Sequence, residues 1–203
     1  MIRAVFFDFG GVISTSPFDA FAAYERRSGV PEGFIRRVNA TNSNLNAWAQ
    51  LERSDISLEE FASAFEIEAA ALGHVVNGRD VLACLSGDIR PEMIEAIRRC
   101  HERLRTVLVT NNFVSAGSIV HDTVGELFDV IVESSRVGVR KPELAFYEIA
   151  CRLAEVTADE VVFLDDLGVN LKPARELGMT TIKVVDAAMA LSELEAVVGF
   201  PLA

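Results

Sequence analysis

The sequence has few of the residues that hold small secreted domains or zinc sites together. Its 203 residues include three cysteines, which are odd in number, far apart and without a CxxC pair. The three histidines show no metal-binding spacing either. Widely spaced single cysteines are typical of free thiols in a reducing compartment. We therefore expect a cytoplasmic protein whose thiols are unpaired: Cys84, Cys100 and Cys151.

Long apolar runs and an excess of positive charge are also missing. No apolar stretch approaches the ~18 residues that cross a membrane, and the one at the N-terminus is interrupted by Asp8 and is too short for a signal peptide. The formal net charge is -11 at pH 7, which disfavours nucleic acid and anionic membrane surfaces as partners. Such a chain needs a local cation to bind a phosphate. The sequence carries no signal for an oligomeric state.

Five short blocks of β-branched and aromatic residues predict strands. Because these blocks are almost continuously apolar, they are typical of parallel strands that are covered on both faces. Helical patterns lie between them, with Pro91 and Pro142 at first-turn positions and Gly178 as a terminator. Strand alternating with helix predicts an α/β fold with a doubly wound, Rossmann-like parallel sheet. The predicted strands are 4–7, 106–109, 130–132, 161–164 and 181–185, and the predicted helices between them are 91–103, 143–154 and 171–177.

Residues 15–87 break this alternation, because they contain helical patterns and no convincing strand. Ser57, with Glu60 three residues later, predicts a capped helix start. We expect a core domain formed by residues 1–14 and 88–203, with a helical cap subdomain, 15–87, inserted after the first strand. The predicted cap helices are 18–27, 32–40, 45–52 and 58–72. The aromatic residues expected in the core of this subdomain are Trp48, Phe61 and Phe65.

Polar residues follow the ends of the predicted strands. Because the carboxyl ends of parallel strands share one edge of a sheet, we expect these side chains to meet there. Three carboxylates at one edge repel one another unless a cation joins them, and oxygen ligands favour Mg²⁺. A magnesium ion with a lysine and a hydroxyl can hold a phosphoryl group, and an aspartate can attack its phosphorus. The residues in question are Asp8, Thr110, Asn111, Lys141, Asp165 and Asp166.

These residues lie in four motifs, FFDFGGV, VLVTNN, GVRKPELAFY and VVFLDDLGVNLKPARELGM. In order and spacing the motifs resemble those of the haloacid dehalogenase (HAD) superfamily of hydrolases. The last one looks most like the phosphatase domain at the N-terminus of soluble epoxide hydrolases and its stand-alone relatives. The resemblance covers nearly the whole chain. It implies a HAD-like core with a cap and a Mg²⁺-dependent phosphatase that acts on a small phosphate monoester or acyl phosphate through an aspartyl-phosphate intermediate.

The resemblance also implies a role for each site residue. The nucleophile would be Asp8, and the phosphoryl oxygens would be held by Thr110 and Asn111. Lys141 would offset the negative charge of the nucleophile and the phosphate. The implied metal ligands are Asp8, the backbone carbonyl of Gly10, and Asp166; the residues in support of them are Asp165 and Asn170. The implied substrate-binding residues are Gly11, Thr110, Asn111 and Lys141.

The sequence departs from the phosphatase pattern at Gly10. Phosphatases of this superfamily usually carry there a second aspartate that protonates the leaving group and later activates water. Three functions therefore stay open: a Mg²⁺-dependent phosphatase, a metal-independent 2-haloacid dehalogenase, and a non-catalytic phosphate-binding protein. The pair Asp165-Asp166 favours the phosphatase, because a metal-free site has no reason to gather negative charge around a carboxylate nucleophile.

Overall fold

The computed structural model describes residues 1–113, 122 and 124–202, and its centre is a sheet of five parallel strands. In space the strands follow the order β3-β2-β1-β4-β5. The chain thus builds one half of the sheet outward from β1 and then returns to build the other half beside it. Strand order reverses between β1 and β4, which is where open α/β sheets keep their ligands. The strands are β1 (Ala4–Phe7), β2 (Arg105–Thr110), β3 (Val130–Glu133), β4 (Val161–Asp165) and β5 (Thr180–Lys183).

Ten helices of the described chain fall into two groups. The first group lies between β1 and β2 in the chain: α1 (Phe18–Ser28), α2 (Phe34–Ala40), α3 (Ala47–Glu52), α4 (Leu58–Ala71), α5 (Gly78–Ala83) and α6 (Pro91–His101). The second group follows β3: α7 (Ser134–Val137), α8 (Leu144–Ala154), α9 (Gly168–Glu176) and α10 (Ala187–Val198). Single 3-10 turns cover Gly125–Leu127 and Ala158–Glu160.

Helices cover both faces of the sheet. Successive β1 residues point to opposite faces, so Val5 and Phe7 pack with α6 and α10, while Ala4 and Phe6 pack with α8 and α9. All four β1 side chains are fully buried, as expected of a strand that is apolar throughout. The predicted α/β fold with a doubly wound parallel sheet is confirmed.

Helices α1 to α5 have a hydrophobic cluster of their own. The Trp48 ring meets Phe61 edge-on at 5.1 Å between centroids, and Phe61 stacks on Phe65 at 5.4 Å. These aromatic side chains form the core that the sequence predicts for this part of the chain. We call residues 15–87 the helical segment; its status as a separate cap subdomain stays a prediction.

The two links between the helical segment and the sheet lie side by side. Ser14 and Ile89 form an antiparallel bridge, the Thr15 N–H donates to Asp88 O at 2.8 Å, and the Arg90 N–H donates to Ile13 O at 2.8 Å. The helical segment therefore leaves and rejoins the sheet at neighbouring points, next to the wide turn that follows β1.

Helix α8 begins later than the sequence predicts. Pro142 does not occupy its first turn, because residues 140–143 form a tight turn in which the Glu143 N–H donates to Arg140 O at 2.7 Å. The Lys141–Pro142 peptide bond is cis, and the helix starts at Leu144. Pro91, in contrast, occupies the first turn of α6 as predicted.

Other boundaries agree with the predictions to within a few residues, and three helices were not predicted: α5, α7 and α10. None of the helices in the described part of the chain has both the length and the hydrophobicity that a membrane-spanning segment needs. All three cysteines are free thiols.

Candidate active site

Asp8 lies at the carboxyl end of β1, beside the point at which strand order reverses. Its N–H extends the ladder to β4 by donating to Leu164 O at 3.0 Å. One carboxylate oxygen, Oδ1, accepts from the Phe9 N–H at 2.7 Å and lies 2.8 Å from Lys141 Nζ. The chain then makes the wide turn Phe9–Ile13. Asp8 is therefore a buried carboxylate that is fixed at the sheet edge and faces the neighbouring loops.

The two glycines after Asp8 differ in backbone conformation and in the space available for a side chain. Gly11 has φ +76°, and a Cβ there would lie 2.3 Å from Asp166 Oδ2, so only glycine lets the two motifs approach each other. Gly10 has an ordinary φ of -68°, and a Cβ there would meet nothing within 4 Å. The side-chain position at which the family resemblance leads us to expect an acid is thus open space in this protein.

Lys141 joins two of the aspartates. Its side chain is 1% exposed, and Nζ lies 2.8 Å from Asp8 Oδ1 and 2.8 Å from Asp165 Oδ2. Burial alone would lower the pKa of Lys141, but the charges and hydrogen bonds of Asp165 and Asp8 outweigh it and raise the pKa above its usual value. The lysine is therefore a permanent positive charge in contact with Asp8.

Asp165 supports Lys141. It is fully buried, and besides Lys141 it accepts from the Leu167 N–H at 2.8 Å and from Asn170 Nδ2 at 3.1 Å. Asn170 is held in turn by Tyr147, whose hydroxyl donates to its backbone carbonyl at 2.7 Å. Both oxygens of Asp165 are thus engaged, which suits a positioning residue better than a metal ligand.

Asp166 is the third carboxylate at this edge of the sheet, after Asp8 and Asp165. Burial and the nearby Asp165 charge raise the pKa of Asp166 to about 6. Burial also raises the pKa of Asp8 well above its usual value, although Lys141 opposes the change. Oxygen atoms of Asp8, Asp165 and Asp166 lie within 4.8 Å of one another. A divalent cation would relieve this repulsion, and a donor set of hard oxygens suits Mg²⁺. Of the ligands that the family resemblance implies, Asp8 and Asp166 belong to this cluster and could hold the ion, while the backbone carbonyl of Gly10 stays a prediction.

Thr110 and Asn111 follow β2 and lie beside the Lys141 loop. Thr110 is buried, at the carboxyl end of the strand. The Asn111 side chain pairs with the Lys141 backbone: Nδ2 donates to Lys141 O and Oδ1 accepts from the Lys141 N–H, each at 2.9 Å. A phosphoryl contact from Asn111 would therefore have to come from its backbone N–H.

Three further charged residues at the site were not predicted from the sequence. Arg90, on the second link, donates from Nη1 to Gly11 O at 3.0 Å, and its charge weakly opposes the rise in the pKa of Asp166. Glu52, at the end of α3, forms an ion pair with Arg140 and accepts from Asn111 Nδ2 at 3.2 Å. Arg140 stands next to the predicted Lys141, but its partner is 88 residues away in the chain, so no local pattern could indicate the pair.

A carboxylate nucleophile candidate, a buried lysine and a cluster of hard oxygen ligands at one sheet edge are groups that suit hydrolytic chemistry. A family model described as haloacid dehalogenase-like hydrolase matches residues 2–178. The chain therefore belongs to the haloacid dehalogenase-like hydrolases, and the predicted resemblance is confirmed.

Several relatives are similar over most of this chain. Mouse acyl-CoA dehydrogenase family member 10 is 34% identical over 98% of the chain, and mouse bifunctional epoxide hydrolase 2 is 31% identical over 98%. The chain spans 19% and 39% of the length of these two proteins, respectively. Phosphatase MT3486 of Mycobacterium tuberculosis is 30% identical over 88% of this chain and 85% of its own length.

A solved structure shares the fold. It is that of a HAD family enzyme from Bacteroides thetaiotaomicron, in complex with magnesium and inorganic phosphate. The TM-score is 0.64 at 19% identity, with 90% of this chain and 94% of that chain covered.

Proposed function

We propose that this protein is a Mg²⁺-dependent phosphatase that cleaves a small phosphate monoester or acyl phosphate through an aspartyl phosphate on Asp8. The observation that carries the proposal is the contact of Lys141 Nζ with two aspartates while a third lies within 4.8 Å of them. The name of one relative, phosphatase MT3486, supports a phosphate substrate.

Each site residue has its own role in the proposed reaction. An oxygen of Asp8 attacks phosphorus, the P–O bond to the leaving group breaks, and the leaving group takes the electron pair. Water then attacks the aspartyl phosphate and releases inorganic phosphate, which regenerates the carboxylate. Lys141 holds Oδ1 of Asp8 and offsets the charge that gathers on the phosphoryl oxygens. When bound by Asp8, Asp166 and the Gly10 carbonyl, Mg²⁺ supplies further positive charge at those oxygens.

Gly10 gives the leaving group no proton donor. A positioned general acid is worth ~10²–10⁴ in rate, so leaving groups that depart as stable anions are favoured. Acyl phosphates and aryl phosphates have such leaving groups, whereas alkyl phosphates do not. The proposed substrate range therefore includes acyl phosphates on chemical grounds.

A metal-independent 2-haloacid dehalogenase is the second candidate, because it also needs no second aspartate. It would displace halide from carbon with Asp8 and would gain nothing from Asp166. Carboxylate oxygens of Asp8, Asp165 and Asp166 lie within 4.8 Å of one another, and Lys141 contacts two of these residues, so negative charge is concentrated around the nucleophile. That charge favours the metal-dependent reaction.

The two candidates are separated by their substrates and by their need for metal. We expect hydrolysis of acetyl phosphate and p-nitrophenyl phosphate with Mg²⁺, loss of this activity in excess chelator, and no chloride release from 2-chloropropionate. Asp8→Asn should abolish turnover, whereas Asp159→Asn, at an exposed residue of a 3-10 turn, should leave the rate unchanged. Chloride release that persists in chelator would instead favour the dehalogenase.

A further inference from the structure

The loop that carries Lys141 is held on both sides by the helical segment. Glu52, the last residue of α3, pairs through Oε2 with Arg140 Nε. Arg53, the next residue, pairs through Nη2 with Glu143 Oε1 at 2.6 Å. Arg140 and Glu143 flank Lys141, so the C-terminal end of α3 contacts the loop on both sides of the lysine.

The Glu52–Arg140 pair is largely shielded from water. The side chains are 12% and 13% exposed, so their attraction is screened much less than that of a surface pair. The second oxygen of Glu52 accepts from Trp48 Nε1 at 3.1 Å. Arg140 also donates from Nη1 to Ser43 O at 3.0 Å, in the same helical segment. Glu52 and Arg140 are therefore each fixed by more than one contact.

A continuous set of contacts leads from Glu52 to the nucleophile. Oε2 of Glu52 accepts from Asn111 Nδ2 at 3.2 Å, and Asn111 makes two hydrogen bonds to the backbone of Lys141, each 2.9 Å long. Lys141 Nζ then reaches Asp8 Oδ1 at 2.8 Å. Each step is a direct contact, and Glu52 is the member that comes from the helical segment.

We propose that Glu52 is a positioning residue, which places Lys141 against Asp8 only while α3 is docked on the sheet. The physical reason is that a lysine ammonium is placed by its backbone as well as by its flexible stem, and a misplacement of about 1 Å in an active site can cost 10²-fold in rate. Docking of the helical segment would in this way complete the site, with Arg53 and Glu143 as a second grip. The rate effects rest on the proposed phosphatase function, but the placement of the loop does not.

The contacts of Glu52 make Glu52→Gln a sharp test. All three of its side-chain partners, on Arg140, Asn111 and Trp48, are hydrogen-bond donors. The amide nitrogen of glutamine cannot accept, so it must face at least one donor, although the volume is unchanged. The matched control is Glu59→Gln, which removes the Arg79–Glu59 pair within the same segment, where the side chains are 70% and 74% exposed.

Two readouts test the proposal. With p-nitrophenyl phosphate and Mg²⁺, we expect Glu52→Gln to lower kcat about tenfold to a hundredfold, with a smaller change in KM, and Glu59→Gln to leave kcat within about twofold. Amide hydrogen exchange should become faster at residues 111, 139–141 and 143 in Glu52→Gln alone. Unchanged exchange there overturns the proposal whatever the rate does, and so does an equal loss of rate in the two variants.

A double variant tests whether Glu52 acts through Arg140. Arg140→Gln combined with Glu52→Gln should lose little more rate than Glu52→Gln alone, because residues that act as one unit are not additive. Fully multiplicative losses would mean that the two residues act separately, against the proposal. If the natural protein hydrolyses no phosphate ester, the phosphatase function fails, and the exchange measurement still decides whether Glu52 positions the loop.

Discussion

The sheet edge and the helical segment use burial in opposite ways. At the sheet edge the buried side chains are charged: Asp8, Lys141 and Asp165 are 8%, 1% and 0% exposed. In the helical segment the buried side chains are mainly aromatic and aliphatic, and its salt bridge between Arg79 and Glu59 lies at the surface. Burial stabilises the second region directly, since apolar surface leaves water. In the first region it opposes the charged forms of the very groups that would do the chemistry.

Because the buried groups are charged in one region and apolar in the other, substitutions in the two regions should have different effects. Changes at the sheet edge should alter activity and stability together, because the same charges serve both. Changes in the helical segment should alter stability alone, except where its residues reach the Lys141 loop. The residues of the helical segment that contact this loop through charged side chains include Glu52 and Arg53, and Ser43 contributes its backbone carbonyl.

Lys141→Ala should have the largest effect, on activity and on stability together. A loop lysine in a sequence suggests little contribution to folding, but this one is 1% exposed between two carboxylates. Removing one partner of a buried ion pair costs about 3–5 kcal/mol, because the remaining charge stays buried and unpaired. Loss of one charged group that stabilises a transition state costs about 10²–10³ in kcat.

Urea unfolding and steady-state kinetics measure the two effects of Lys141→Ala. Lys172→Ala is the matched control. The Lys172 side chain is 77% exposed, and its pair with Glu176 is long, at 4.0 Å, so its removal should change stability by less than about 0.5 kcal/mol. A Lys141→Ala protein that is inactive but as stable as the natural one would break the link between charge burial and folding at this edge.

Gly11→Ala should have the next largest effect, and its neighbour supplies the control. A methyl group at Gly11 would lie 2.3 Å from Asp166 Oδ2 at a backbone φ of +76°. The strain of such a conformation is about 1–3 kcal/mol, and displacing Asp166 should also weaken Mg²⁺ binding. Gly10→Ala meets nothing within 4 Å and should keep the natural stability and metal affinity. Thermal unfolding and Mg²⁺ titration compare the variants; equal behaviour of the two would contradict the close approach of Gly11 and Asp166.

The sequence predicts the sheet edge well, for a local reason. Each aspartate follows a continuously apolar block, so the position of the strand fixes the position of the carboxylate, and parallel strands bring Asp8 and Asp166 to one edge. The lack of an acid side chain at Gly10 follows from comparison with the family motif, whereas the open space around it could not be predicted. Contacts between distant segments could not: Glu52 meets Arg140 across 88 residues, and the approach of Gly11 to Asp166 depends on how two turns pack.

Helix α10 was not predicted because of its composition. Its sequence AAMALSELEAVV has apolar residues on nearly every side, including Met189, which is 75% exposed. A helix is predicted most securely when apolar residues recur on one face, and that pattern is weak here. Helix α5 has six residues, too few for any periodicity to stand out.

Ser57→Ala should have the smallest effect and should change stability without changing chemistry. Ser57 begins α4 with the capping box that the sequence predicts: its hydroxyl accepts from the Glu60 N–H at 3.3 Å, and Glu60 Oε2 accepts from the Ser57 N–H at 2.8 Å. Alanine removes the first bond, and loss of such a cap costs about 1 kcal/mol. Urea unfolding should detect that loss, while kcat on p-nitrophenyl phosphate stays within about twofold. A tenfold fall in kcat with unchanged stability would mean that the start of α4 belongs to the active site, and the contrast between the two regions would then have to be redrawn.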